Sequence, residues 1–207
     1  MPLKNRVNPF GQFLAVDSRG DWLGNRGILH NYPNKEIVSK WKHKSWVTCN
    51  LQFNGWKREV FGQNTYSELF FLDEATALSA GHRPCATCRR QRYNEFKSVW
   101  CKANVTSPSE SELPIKQIDD QLHTERAIRG GGKVTFQMKF KDVPDGTFIG
   151  EDENSYLFWN SKLHLWSPDG YKEHSELPEG ENIVTVLTPT SIVKMYTLGF
   201  KPQVKLC

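Results

Sequence analysis

The chain has 207 residues, of which 38% are hydrophobic, with 27 Lys and Arg against 23 Asp and Glu for a net charge of +4. That length carries a hydrophobic core without a disulfide framework, and five cysteines (Cys49, Cys85, Cys88, Cys101, Cys207) are too sparse to build one. With no apolar run of signal-peptide or membrane-spanning kind, the expectation is a soluble cytoplasmic protein with reduced thiols and no membrane partner. Charge is uneven: residues 1–102 hold 16 Lys/Arg against 8 Asp/Glu, and the remainder hold 11 against 15. A basic first half suits a polyanionic partner such as nucleic acid, or else ordinary solvated lysines.

Residues 1–34, rich in Gly, Asn and Pro, read as mostly loop with a short strand at Gln12 to Val16. "SWVTCNLQF" (45–53) and "SELFFL" (67–72) have strand patterns. In "DEATALSAG", Asp73 is placed to cap a helix that Gly81 ends, and Pro84 blocks its continuation. "RRQRYNEFKSVWCK" spaces Tyr93, Phe96 and Trp100 on one face and leaves Arg89, Arg90, Arg92 and Lys97 outside, an amphipathic helix with a basic side. "ANVTSPSESELP" (103–114) reads as a linker between a basic part, 1–102, and a second part, 115–207.

That second part opens with a helix whose stripe is Ile115, Ile118 and Leu122, stopped by Gly130 to Gly132. Strands follow at "KVTFQMKF", "TFIG", "SYLFW", "KLHLW" and "NIVTVL", with a hairpin turn at Asn160-Ser161. Thr188 caps a last helix that carries Pro189 in its first turn and ends at Gly199. The expected class is α+β: a metal-knuckle N-terminal part packed on an antiparallel sheet or small barrel with flanking helices.

"GHRPCATCRR" (81–90) places two cysteines two residues apart. A redox dithiol should follow a strand and open a helix of a thioredoxin-like unit, whereas here a short helix and Arg83-Pro84 come first, which favours a zinc knuckle. A closed structural zinc site needs four ligands. His30 and Cys49 complete the set with Cys85 and Cys88, while Cys101 on a helix and the terminal Cys207 are weaker candidates.

"LFFLDEATALSAGHRPCATCRR" resembles the end of the zinc-binding domain found at the N-terminus of Ada-type DNA alkylation-repair proteins. The match runs from about Leu69 to Arg92, under a third of the chain, with His82 where that family has an aromatic residue. It implies a DNA-binding element held by one structural zinc, with Arg83, Arg89, Arg90 and Arg92 towards the DNA. Members that accept methyl groups carry closely spaced upstream cysteines. Here eighteen residues separate His30 from Cys49. The resemblance therefore implies DNA binding more strongly than methyl transfer, with Cys49 as alkyl acceptor an alternative.

Chemistry is then expected elsewhere. Glu125 follows the stripe residue Leu122 by three, and a carboxylate at a core edge suits a general base. Its neighbour His123 joins the catalytic candidates, Arg126 is expected to contact DNA, and the glycine run with Lys133 lets backbone approach a DNA phosphate. Glu68, between Tyr66 and Phe70, is the other catalytic candidate, and Trp159, Trp166 and Tyr171 are candidates to line a pocket for a flat base. The reading is a zinc-containing protein acting on duplex DNA in repair or antiviral defence, as a glycosylase hydrolysing the N-glycosidic bond of a flipped, modified base. The chain has no P-loop, dinucleotide or zinc-deaminase fingerprint. The alternatives are a non-catalytic reader of modified nucleic acid and a zinc-thiolate alkyl acceptor.

Overall fold

In the computed structural model, residues 1–55, 59–106, 113–174 and 176–206 are described. The first part forms a mixed sheet of β1 (Lys4–Val7), β2 (Phe13–Ala15), β3 (Trp22–Asn25), β4 (Val47–Asn50), β5 (Leu69–Phe71) and β6 (Arg83–Pro84), in the order β2-β1-β5-β3-β4-β6. β1 with β5 and β4 with β6 are parallel; the other neighbours are antiparallel. The glycine- and asparagine-rich start is thus less loop than expected. β1 and β3 are too short for alternation to declare them, and their register comes from pairing with β5.

The second part is an antiparallel sheet of β7 (Phe136–Lys139), β8 (Phe148–Glu151), β9 (Asn154–Trp159), β10 (Lys162–Ser167), β11 (Gly170–His174) and β12 (Ile183–Val186). Its order, β11-β10-β9-β8-β12-β7, leaves β11 and β7 at opposite edges, so it is an open sheet and not a barrel. Asn160 and Ser161 turn between β9 and β10 with φ of 51° and 59°, the left-handed pair of a two-residue hairpin. "WSPDGY" closes a second hairpin, in which Trp166 pairs with Tyr171.

Between the sheets lies α1 (Glu74–Ser79), all six residues of which are buried. Asp73 caps it as its sequence predicts, accepting from the Thr76 N–H at 2.8 Å. Ala77 and Ala80 pack into the core of the first sheet, Ala75 into a cluster with Phe148, Leu157 and Leu187 of the second, and Leu78 into a third cluster. That third core is where α2 (Arg90–Asn104), α3 (Ile115–Arg126) and α4 (Thr190–Thr197) meet through Phe96, Trp100, Ile118, Leu122, Ile192 and Met195. Helices from both sides of the expected linker share it; residues 107–112 of that stretch lie outside the described residues. Thr188 does not cap α4. Its hydroxyl accepts from the Phe148 N–H, and Glu125 serves the helix start instead, accepting from Ser191 N–H at 3.0 Å and Ser191 Oγ at 2.6 Å. No described helix is long and apolar enough to cross a membrane.

Candidate functional site

Cys49 lies on β4, and Cys85 and Cys88 follow β6, which pairs in parallel with β4. The Cys85 N–H bonds to the Thr48 carbonyl and the Asn50 side chain bonds to the Cys88 carbonyl, so strand pairing and one side chain lock the knuckle against β4. The three Sγ atoms lie within 4.8 Å of one another. Tetrahedral zinc with bonds of ~2.3 Å sets sulfurs about 3.8 Å apart, so the trio fits such an ion with small adjustments, and thiolates are the donors that soft or borderline metals take. The thiol hydrogen bond from Cys49 and the Thr87 and Cys88 N–H groups pull Cys85 down to about 4, while the same bond and burial push Cys49 up.

His30 does not join them. Its Nδ1 is 2.7 Å from Ser67 Oγ, its Nε2 is 3.2 Å from the Gly62 carbonyl, and its ring stacks on Phe61. Both ring nitrogens are occupied in pinning the loop before β5, so the expected Cys3His set reduces to three cysteines. Cys101 is buried in the helical core, and Cys207 lies outside the described residues.

Beside the cysteines is a pocket of about 260 Å³ whose walls include Leu23, Val47, Leu51, Phe53 and Tyr66. Glu68 also lines it. Only 3% exposed, its carboxylate accepts from the Phe61 N–H through Oε2 at 2.9 Å, while the buried Oε1 has no hydrogen-bond partner among the described residues. One expected catalytic carboxylate thus faces the pocket that holds the cysteines. The other, Glu125, is held by Ser191 and by Gln121 as an internal cap.

Most of the arginines expected on DNA are turned inward. Arg83 makes a two-pronged pair with Asp119 at 2.7 and 2.8 Å, and Arg89 and Arg92 both close on buried Glu74 at 2.6 Å. Glu74 is fully buried, and although burial opposes its ionisation, these arginines hold its carboxyl below the ordinary range. The basic face of α2 is therefore largely the seam that fixes α2 to α1, and Arg90 alone of the four is exposed. The expected base pocket is a seam as well. Trp166 Nε1 donates to Thr76 Oγ1, Tyr171 OH donates to Asp73 at 2.7 Å, and both pack with Trp159 against the cluster around Ala75.

A second cavity gathers two of the side chains singled out in the "LHTERAIRGGGK" stretch and one that sequence reasoning passed over. Arg126 and Lys133 line it with Arg26, and His123 stands edge-on to Trp41 and Trp46 in its wall. Arg26 and Arg126 each lie 4.1 Å from the centre of the Trp46 ring. Gly81, read from sequence as a helix stop, has a second duty: at φ +84° it leaves the space that Arg126 fills, and a Cβ there would collide with the Arg126 stem. Arg26, in "LGNRGIL", carried no signal, because a single arginine after a three- or four-residue strand is unremarkable in one dimension.

Compared with family models, curated proteins and solved structures, the chain finds no match.

Proposed function

We propose that this is a zinc protein that hydrolyses the N-glycosidic bond of a modified base in DNA, in the pocket shared by Cys49, Cys85, Cys88 and Glu68. The observation that carries the reading is a three-cysteine set on the wall of a pocket whose buried carboxylate has one oxygen unpartnered among the described residues. Three protein ligands are the pattern of zinc sites that keep a position for another donor, whereas closed structural sites use four. Zinc held there would accept an oxygen or nitrogen donor from whatever occupies the pocket. The resemblance over Leu69 to Arg92 supports zinc as the metal.

The residues divide the work as follows. Leu23, Val47, Leu51 and Phe53 give apolar walls to a flat ring and exclude bulk water from it. Glu68, held by the Phe61 N–H, directs Oε1 to a water in the pocket and takes its proton as the oxygen bonds to the sugar carbon. The carbon–nitrogen bond breaks, and the base leaves with the electron pair and takes up the proton that Glu68 received from the water, which restores the carboxylate. Arg90, exposed on the first turn of α2, meets the DNA backbone.

The test is incubation of the zinc-loaded protein with duplexes carrying alkylated or otherwise modified bases, scored for free base and alkali-labile abasic sites. Glu68→Gln keeps an acceptor for the Phe61 N–H and should lower release by ~10²–10⁴-fold at unchanged zinc content. Release that survives this substitution, or none from any duplex, overturns the proposal. A single mass increment on Cys49 with no turnover would replace it with the alkyl-acceptor reading.

A further inference from the structure

We infer that Arg26, Arg126 and Lys133, with Lys40 at the mouth, form a binding site for the terminal phosphate of a phosphomonoester. The inference does not rest on the cysteine pocket. Leu23, Asn25, Val47 and Cys49 line that pocket, whereas Arg26, directly after β3, and Trp46, directly before β4, are one residue out of phase with them and line this one, so the two open on opposite faces of the first sheet.

The cavity, about 100 Å³, is walled among the described residues by four cationic side chains and no carboxylate. Arg26 is 2% exposed. Its Nε donates to His82 Nε2 at 3.1 Å and its Nη1 to the Gly11 carbonyl at 3.1 Å, which leaves the buried Nη2 without a partner. Arg126 donates to the Gly81 and Lys44 carbonyls with its Nε unpartnered, and half-buried Lys133 turns its ammonium to the Ser79 carbonyl. The cations thus rest on backbone dipoles and on the face of Trp46, none of which cancels a full charge, and the two carboxylates that attract Arg126 from outside the cavity, Asp119 and Glu125, are already held by Arg83 and by Gln121 and Ser191.

Like charges gathered out of water repel one another and lose hydration. Burial, then Arg26 and Arg126, bring Lys133 down to about 7. Burial and the same cations keep His82 well below its usual range and neutral, which suits the hydrogen bond that it accepts from Arg26. Compare Arg83 or Arg89, each of which closes on a carboxylate. An oxyanion in the cavity supplies the same neutralisation, and a guanidinium with a free N–H edge matches phosphate oxygens.

The deep cavity opens through Lys40, Trp41 and Gly131 into a shallower groove of about 390 Å³ bordered by Lys4, Phe13 and Val38. Lys40 lies 5.6 Å from the centre of the Phe13 ring. A phosphate inside thus leaves its carrier in an aromatic and cationic groove, and a small enclosed anion pocket admits a chain end more readily than the middle of a strand. Either a free nucleotide or a 5′-phosphorylated strand end offers that chemistry.

Calorimetric titration with sulfate at constant ionic strength tests the inference on the intact protein. Saturable binding is expected, weakened by about tenfold in Lys133→Met and measurably in Lys40→Met, an exposed position that leaves the fold alone. Competition by a nucleoside monophosphate but not by a phosphorylated oligonucleotide assigns the site to a free ligand. Competition by the 5′-phosphorylated oligonucleotide but not its 5′-hydroxyl counterpart assigns it to a strand end. No sulfate binding, or equal binding in wild type and both variants, overturns it.

Discussion

The two cavities of the first sheet are opposites in charge and in how the chain assembles them. The cysteine pocket collects three sulfur donors from one strand and the adjoining turn, within 40 residues of sequence. The cationic cavity collects Arg26 and Lys40 from the loop between β3 and β4, Arg126 from the end of α3 and Lys133 from the approach to β7, more than 100 residues away from the first. A third grouping gives the scale for both. At Glu74, Arg89 and Arg92 the same kinds of charges are brought together and neutralised within the chain. A fold tolerates buried charge cheaply when the opposite sign comes with it, so charged groups gathered without a counter-charge indicate what the site takes from outside.

The largest effect should come from removing the metal that the three cysteines are proposed to hold. Chelation or Cys85→Ser should remove one zinc per chain and lower Tm by upward of ~10 °C, since metal binding at a site that the unfolded chain lacks is folding free energy. Sulfate binding to whatever folded protein remains should be unchanged if the two cavities are independent. Elemental analysis with thermal unfolding in the presence and absence of chelator measures both; no zinc in the purified protein would end the metal reading.

Next in size is the internal cluster. Glu74→Ala leaves Arg89 and Arg92 buried without their carboxylate, at a cost of ~3–5 kcal/mol, or roughly 6–20 °C in a chain of this size. Denaturant or thermal unfolding checks it. A loss under ~1 kcal/mol would mean that solvent already screens these arginines, and the contrast with the cationic cavity would fail.

How far these groupings were legible depends on their span along the chain. The Cys-x-x-Cys turn and the Asp73 cap are local, so spacing alone announced them, as it did the amphipathic face of α2. The basic face of that helix misled because a sequence cannot say whether an arginine points to solvent or to Glu74, fifteen residues earlier and buried. His30 misled for the same reason: its partners, Ser67 and Gly62, are brought to it by the fold. Glu68 and Glu125 looked equivalent until α4 arrived over one of them. The cationic cavity was half visible, through Arg126 and Lys133, and its decisive member, Arg26, had no motif to mark it.

A smaller and opposite effect is expected at Lys133. Its folded pKa of about 7 lies below the ordinary 10.5, so between those values the unfolded chain holds more protons, and stability in anion-free buffer should rise with pH across that window. Lys133→Met removes the penalty. The variant should therefore unfold at a higher temperature than wild type at pH 6, by a few degrees, with the gap closing towards pH 10 and shrinking when sulfate is added. Arg26, Arg126 and His82 face this ammonium; burial also brings Arg126 down, to about 9, so the wild-type slope at the upper end of the window is shared, and the part that belongs to Lys133 is the difference between wild type and variant. A destabilised variant at every pH would mean that the Ser79 contact outweighs the charge repulsion.

The smallest effect should come from Arg90→Ala, and it tells the two faces of the sheet apart. Arg90 is exposed, and none of the ion pairs that hold α2 to α1 includes it, so stability should change by under ~0.5 kcal/mol. On duplex DNA, losing one phosphate contact should lower the slope of log affinity against log salt by about 0.9. Sulfate binding should stay as in wild type, because Arg90 lines neither the cationic cavity nor the groove at its mouth. The reverse pattern, an altered sulfate response with an unchanged DNA slope, would move the nucleic-acid contact to the cationic face and leave α2 as a purely internal strut.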